Sequence, residues 1–240
     1  MGCGDRLTRP ARRLPGGASF EALILDMDGL MLDTEAVEFR AWRRAAEDFG
    51  WSISASQYLQ LIGRAHPDSW AIMTAWWQER PARSGSLDDI AARAARYARA
   101  EPVTVKPGLA GLLGWAAGAQ VPVAVASSSR RDTVIARLRA AGVLDSVGPI
   151  TGGDEVTRGK PAPDIFLLAA RRLDREPAAC VVAEDSDSGI RAAAAAGMLP
   201  FLVPDASIPR EVPAAVLALA YRVCASLTDV RDVLSAAPAD

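Results

Sequence analysis

Histidine is the scarcest reactive side chain here: of 240 residues, His66 alone carries an imidazole. Serine–histidine catalysis and zinc sites built from several histidines are therefore poorly supported. Cysteine is nearly as rare. Cys3, Cys180 and Cys224 are too few, too scattered and odd in number for a disulfide framework, which makes a reducing, cytoplasmic compartment the expectation. No apolar run approaches the roughly 20 residues of a membrane-spanning helix. Residues 1–19 are rich in arginine, glycine and proline, lack the apolar centre of a signal peptide, and read as a loose arm. The chain opens Met-Gly, but Arg6 stands where the myristoylation pattern has serine or threonine. A large excess of charge is also missing. The formal net charge of −2 leaves no footprint for nucleic acid or an anionic membrane. Lysine is the last shortage: Lys106 and Lys160 are the only two among 27 basic residues. Where arginine serves nearly everywhere, a lysine marks a place for a compact, flexible point charge.

What is present is an ordinary globular composition, half apolar and 23% charged, enough for one large domain or a core with a smaller companion. Short apolar runs at 21–27, 121–126, 148–151, 179–184 and 199–203 read as buried parallel strands. Helical patterns at 131–142, 162–173 and 186–197 separate the later ones, with Gly142 and Gly197 at helix-stopping positions. The alternation predicts an α/β fold, a parallel sheet with helices on both faces. One interval breaks it. From about Thr34 to Glu101 the texture is helical only, too long for one crossover and too regular for a loop. It reads as a helical domain inserted after the first strand, with residues 1–19 as the arm, 20–33 and 105–240 as the α/β core, and 34–104 as the cap.

Open parallel sheets bind ligands at the carboxyl ends of their strands. Those ends carry Asp26 and Asp28, then Ser127, Ser128, Ser129 and Arg130, then Glu184 and Asp185, with Lys160 in "RGKPAPD" ahead of a helix. Asp26 and Asp28, two apart in extended chain, leave on the same side, and Gly29 permits a sharp bend. Acids gathered at one edge need a cation, and hard oxygen ligands with room for phosphate suit Mg²⁺. The serine hydroxyls and backbone N–H groups suit phosphate oxygens, although helix capping explains the serines nearly as well. Together these parts describe phosphoryl transfer through an aspartyl phosphate.

"DMDGLMLDTE", "VASSSR", "GKPAPD" and "AEDSDSGI", in this order and at matching strand ends, resemble the haloacid dehalogenase superfamily over nearly all of residues 23–203. The resemblance implies a Rossmann-like core with a helical cap inserted after the first motif. It implies Asp26 as nucleophile, Asp28 as acid/base, Ser127 as phosphate ligand and Lys160 as the third-motif lysine. Metal would be held by Asp26, Asp28, Glu184 and Asp185, and phosphate by Gly29, Ser127 to Ser129 and Arg130. The branch it points to contains β-phosphoglucomutase and small sugar-phosphate phosphatases. Glu38, Ile62 and His66 depart from the mutases, which carry cationic or histidine side chains there, so a phosphatase acting on a small phosphorylated metabolite, a sugar or nucleoside phosphate, fits better than a mutase. The intact Asp26, Asp28, Lys160 and Asp185 argue against a catalytically silent binding protein on the same fold.

Other features keep two readings. Asp33 and Glu35 are assigned to starting the cap helix and to the hinge rather than to chemistry. Gly63 and Arg64 either touch substrate from a cap loop or end a helix. Trp70, Met73, Trp76 and Trp77, at helical spacing, pack the cap or place a tryptophan in the pocket. Cys180 sits in a buried strand and is inert. Monomer and homodimer stay undecided.

Overall fold

The computed structural model describes residues 11–61, 66–79, 85–102, 104–207 and 211–238. The described part of the expected arm is built in rather than loose. Arg12–Arg13 (β1) pairs antiparallel with Ser19–Phe20 (β2). Leu14 is buried between them, the Arg13 N–H donates to the Pro238 carbonyl at 3.1 Å, and the Tyr221 hydroxyl donates to the Pro15 carbonyl. The apolar side chains Leu14 and Phe20 anchor a segment whose composition otherwise looks soluble.

Strand β3, Ala22–Leu25, follows at once. The chain then leaves through four helices: α1 (Thr34–Asp48), α2 (Ala55–Leu59), α3 (His66–Gln78) and α4 (Leu87–Ala100). Ser54 with Gln57, and Ser86 with Asp89, form capping boxes that satisfy the first-turn N–H groups of α2 and α4. The helices share a core of their own, in which Ala45, Ala46, Trp51, Ile53, Met73, Trp77 and Ile90 are buried. Trp51 and Trp77 meet with ring centroids 5.6 Å apart at 60°. Trp77 and Met73 of the aromatic stripe therefore pack, and Trp76 lies half-buried against the same cluster.

Two strands of chain join this cap to the rest. The Asp33 N–H donates to the Thr104 carbonyl and the Lys106 N–H to that of Met31, each at 2.9 Å. Asp33 occupies the N-cap of α1 without capping it. Its backbone, φ −80° and ψ 58°, is not the extended conformation that lets an N-cap side chain reach the first turn. Its carboxylate instead pairs with Lys106 at 3.1 Å, and Lys106 also donates to Asp205 and to the Ser207 hydroxyl. The expected helix-capping acid is half of a clasp.

After α5 (Leu109–Gly118) come β4 (Val123–Ser127), α6 (Arg131–Ala140), β5 (Ile150–Gly152), α7 (Asp164–Leu173), β6 (Cys180–Glu184), α8 (Asp187–Ala195), β7 (Leu199–Leu202), α9 (Ala214–Leu217), β8 (Arg222–Val223) and α10 (Leu227–Ser235). The six strands form one parallel sheet in the order β5-β4-β3-β6-β7-β8. The two-residue period of each strand divides the apolar runs between its faces. Leu23, Leu25, Val125 and Val181 pack with Leu109, Leu112, Leu138 and Val230 of α5, α6 and α10. Ala22, Ile24, Ala124 and Val182 pack with Phe166, Ala169, Ala192 and Ala193 of α7 and α8. The near-continuous hydrophobicity of the runs thus reports burial on both sides. Cys180 belongs to the second cluster, and burial pushes its thiol up to about 12, which leaves it inert at neutral pH. Among the described residues, no helix is long and apolar enough to cross a membrane.

Candidate active site

Strand β3 is the point where the strand order reverses, with β4 on one side and β6 on the other. The crevice expected at such a point opens over Asp26, whose N–H makes a closing ladder contact with the Ala183 carbonyl at 3.1 Å. Ser127 ends β4 and Glu184 ends β6, so these two side chains flank Asp26 for topological reasons.

Lys160 enters from the loop ahead of α7. Its ammonium donates to Asp26 Oδ1 at 2.5 Å, to Glu184 Oε1 at 2.7 Å and to the Ala126 carbonyl at 3.4 Å. Only 4% of its side chain is exposed, and the ammonium sits 4.8 Å from the Phe166 ring centroid. Glu184 Oε2 accepts the Ser186 N–H at 2.6 Å, so both of its oxygens are engaged. Gly189, in the first turn of α8, makes room for it: a Cβ there would lie 1.7 Å from Glu184 Oε1. Gly29 does the same for Asp185, with φ +84° and a Cβ position 2.5 Å from Asp185 Oδ2, so both conformation and space require glycine.

Oxygens of Asp26, Glu184 and Asp185, all three buried, lie within 4.8 Å of one another. Asp26 and Glu184 share one ammonium in a place water barely reaches, with the Asp185 carboxylate close beside them. Burial pushes the Asp26 carboxyl up to about 8, against the pull of Lys160 and with repulsion from Glu184 and Asp28 adding to it. Burial also opposes the charge on Lys160, but Asp26 and Glu184 outweigh it and hold the ammonium above the usual lysine range. Both shifts describe a site short of positive charge. A hard, oxygen-seeking divalent cation fits that deficit and that donor set.

Asp28 lines the same cavity but has partners of its own. Its Oδ2 accepts the hydroxyls of Ser127 at 3.0 Å and Ser129 at 2.9 Å, and its Oδ1 accepts Arg137 Nη1 at 2.6 Å. Met27 still shares the core face of Leu23 and Leu25, but β3 ends at Leu25, so what Asp28 touches is set by its own partners rather than by the strand. The Asp28 side chain, expected among the metal-holding acids, is thus not one of the three. Arg137 also reaches Glu38 Oε1 at 3.0 Å, so a guanidinium on core helix α6 joins Asp28 to cap helix α1. Burial opposes its charge, but the two carboxylates raise its affinity for the proton above the ordinary arginine value. Sequence reasoning missed Arg137: in "RDTVIARLRAAG" nothing local separates it from Arg131 and Arg139.

The serine side chains do not cap the helix that follows. Arg130 holds the N-cap of α6, and the Arg131 N–H is satisfied by Asp154 Oδ1 at 2.8 Å. Ser127 is fully buried on Asp28, while Ser128 and Ser129 line the cavity. Gly153 lets the loop close against the neighbouring turn, a Cβ there falling 2.2 Å from the Ser128 carbonyl oxygen. The Arg130 side chain is 73% exposed, faces Asp154 at 3.7 Å and does not line the cavity. Ile62, Gly63 and Arg64 lie outside the described residues, as does the His66 side chain.

A cavity of about 550 Å³ lies between this floor and the cap. Glu35, Glu38, Trp42, Tyr58, Trp70 and Met73 line it from the cap side. Glu35 therefore does two things, standing in the first turn of α1 and facing the cavity. Trp70 and Met73 are the members of the stripe that reach the pocket. Burial, with Glu35 and Glu38 adding to it, pushes the Tyr58 phenol above its usual range.

The family model for haloacid dehalogenase-like hydrolases matches residues 20–197. The chain belongs to that family. A phosphorylated carbohydrates phosphatase of Thermotoga maritima is 32% identical over 181 residues, covering 74% of this chain and 82% of the relative. A β-phosphoglucomutase of Bacillus subtilis is 31% identical over 184 residues, 74% of this chain and 80% of the relative. Among solved structures, a haloacid dehalogenase family hydrolase from Deinococcus radiodurans with bound phosphate and sodium superposes with a TM-score of 0.75. It is 28% identical and covers 90% of this chain and 98% of its own. The haloacid dehalogenase resemblance of the four motifs and the α/β parallel-sheet fold both hold.

Proposed function

We propose that this haloacid dehalogenase-like hydrolase is a Mg²⁺-dependent phosphatase. Its substrate is a small phosphomonoester, a sugar or nucleoside phosphate, and the reaction runs through an aspartyl phosphate on Asp26. The observation that carries the proposal is the buried convergence of Asp26, Lys160, Glu184 and Asp185 beside an Asp28 held by serine hydroxyls. The relatives named as phosphatases support the reaction class.

Asp26, Glu184 and Asp185 would hold the metal, which when bound supplies positive charge against the carboxylates and the phosphoryl oxygens. The rest is done by the chain. Lys160 and the hydroxyls and N–H groups of Ser127 to Ser129 hold the phosphoryl group. An Asp26 oxygen attacks phosphorus as the bond to the leaving oxygen breaks, and Asp28 gives that oxygen its proton. A water then attacks the same phosphorus, Asp28 takes the water's proton, and the bond to Asp26 breaks to release phosphate. The cap side excludes bulk water and contacts the leaving group.

A phosphoglucomutase-like reading has the Bacillus relative in its favour. The cap side of the cavity speaks against it: among the described residues it offers Glu35 and Glu38 and no lysine or arginine to hold a second phosphate. The test is a panel of phosphate esters with and without Mg²⁺. Release of inorganic phosphate that needs Mg²⁺ and vanishes in Asp26→Asn is expected. Hexose phosphate isomerisation primed by a bisphosphate would replace this reading with the mutase, and an Asp26→Asn enzyme of normal rate would remove the nucleophile.

A further inference from the structure

We propose that Arg137 is the positioning residue of Asp28 and the link through which the cap reaches it. The inference rests on the acid/base role given to Asp28 above. Asp28 stands on irregular chain: β3 has ended and Gly29, with φ +84°, follows directly. Its carboxylate therefore owes its placement to what it touches. Oδ2 rests on two hydroxyls of the serine loop, and Oδ1 rests on the Arg137 guanidinium at 2.6 Å.

These contacts are unequal. Ser127 and Ser129 belong to the loop expected to hold phosphate, so their hydroxyls are the donors that an arriving phosphoryl group recruits. Asp28 then keeps one charged partner from the core, Arg137. A planar guanidinium can serve two acceptors at once from separate nitrogens, and here Nη1 holds Asp28 while Nη2 holds Glu38 at 3.0 Å. Glu38 stands one turn inside α1, the first cap helix, and lines the cavity. The guanidinium is half-enclosed, with 24% of its side chain exposed, so screening by solvent is incomplete. The bridge Glu38–Arg137–Asp28 therefore ties the position of α1 to the direction in which Asp28 points. A rigid group held through one further side chain is how a reacting residue is kept in register.

Kinetics of variants at saturating Mg²⁺ test this, with a sugar phosphate as substrate and inorganic phosphate as competing ligand. Arg137→Ala is expected to lower kcat by about 10- to 100-fold, the span usual for loss of an outer partner of a catalytic group. KM and the inhibition constant of phosphate should move less than about threefold. Arg137→Lys, which keeps a charge but not two separated donors, should recover part of the rate, and Glu38→Ala should lower kcat by less than Arg137→Ala does. The decisive comparison is made in an Asp28→Asn background. A residue that acts through Asp28 has nothing left to position there, so adding Arg137→Ala should cost no further activity. A further fall of the same size in that background, or a raised KM at unchanged kcat, overturns the proposal, the latter by placing Arg137 on the substrate. An Asp28→Asn enzyme with the rate of the parent would instead remove the acid/base reading on which the proposal stands.

Discussion

Asp26, the proposed nucleophile, illustrates how a single buried side chain can tie stability to pH. In an unfolded chain an aspartate titrates near 3.9, whereas burial pushes Asp26 to about 8 in the fold. Between those values the folded protein keeps a proton that the unfolded chain has released. Protonation of Asp26 therefore favours the fold at low pH, and its contribution fades as pH rises through about 8. A divalent cation competes with that proton, so Mg²⁺ should raise Tm more at about pH 8.5 than at about pH 6. Calorimetry at both values, with Asp26→Asn alongside, measures this. Equal shifts at the two pH values in the parent protein would contradict the coupling. The identities of Asp26, Lys160, Glu184 and Asp185 were legible because motifs at strand ends bring them to one edge by topology. Arg137 and the partners of Asp28 were not. Helix α6 carries Arg131, Arg137 and Arg139, and which of them faces a carboxylate depends on how the helix is rotated against the sheet.

At the scale of elements, the strands and helices of the α/β core were readable because their periodicities are local. The strand runs at 121–126 and 179–184 end where β4 and β6 end, give or take a residue. The short, exposed β8 escaped notice, since two residues on a sheet edge leave no pattern. The junction with the cap was readable in outline only. Lys106, the lysine left without a role by its motif, turns out to join Asp33 at the start of α1 to Asp205 and Ser207 after β7. Asp205 is 7% exposed, so removing its cationic partner leaves a carboxylate with little water to turn to. Lys106→Met should destabilise the protein by about 3 kcal/mol, the lower end for breaking a buried pair. Denaturant unfolding followed by circular dichroism checks it: the midpoint should fall with the slope unchanged. An unaltered midpoint would mean that the clasp is a surface contact of little worth.

For the molecule as a whole, the cavity between sheet and cap is where selectivity has to arise. On the proposed reading its floor would hold the phosphoryl group, and its roof, lined by Trp42, Tyr58 and Trp70, would meet whatever the phosphate is attached to. Trp70→Ala should raise KM for a preferred ester about tenfold, the equivalent of one aromatic contact. The inhibition constant of inorganic phosphate, which has no leaving group, should stay within about twofold. Parallel changes in both constants would place Trp70 in the packing of the cap instead. By itself the sequence determined the class of fold, the inserted helical segment and the acids and lysine of the floor. Those depend on periodicity and on strand ends, which are properties of neighbouring residues. Only the tertiary structure decided that Asp28 rests on serines and Arg137, that Asp33 pairs with Lys106, and that Trp70 faces the cavity while Trp77 packs. Each of those outcomes depends on a side chain meeting another tens of residues away, across a distance that no local pattern encodes.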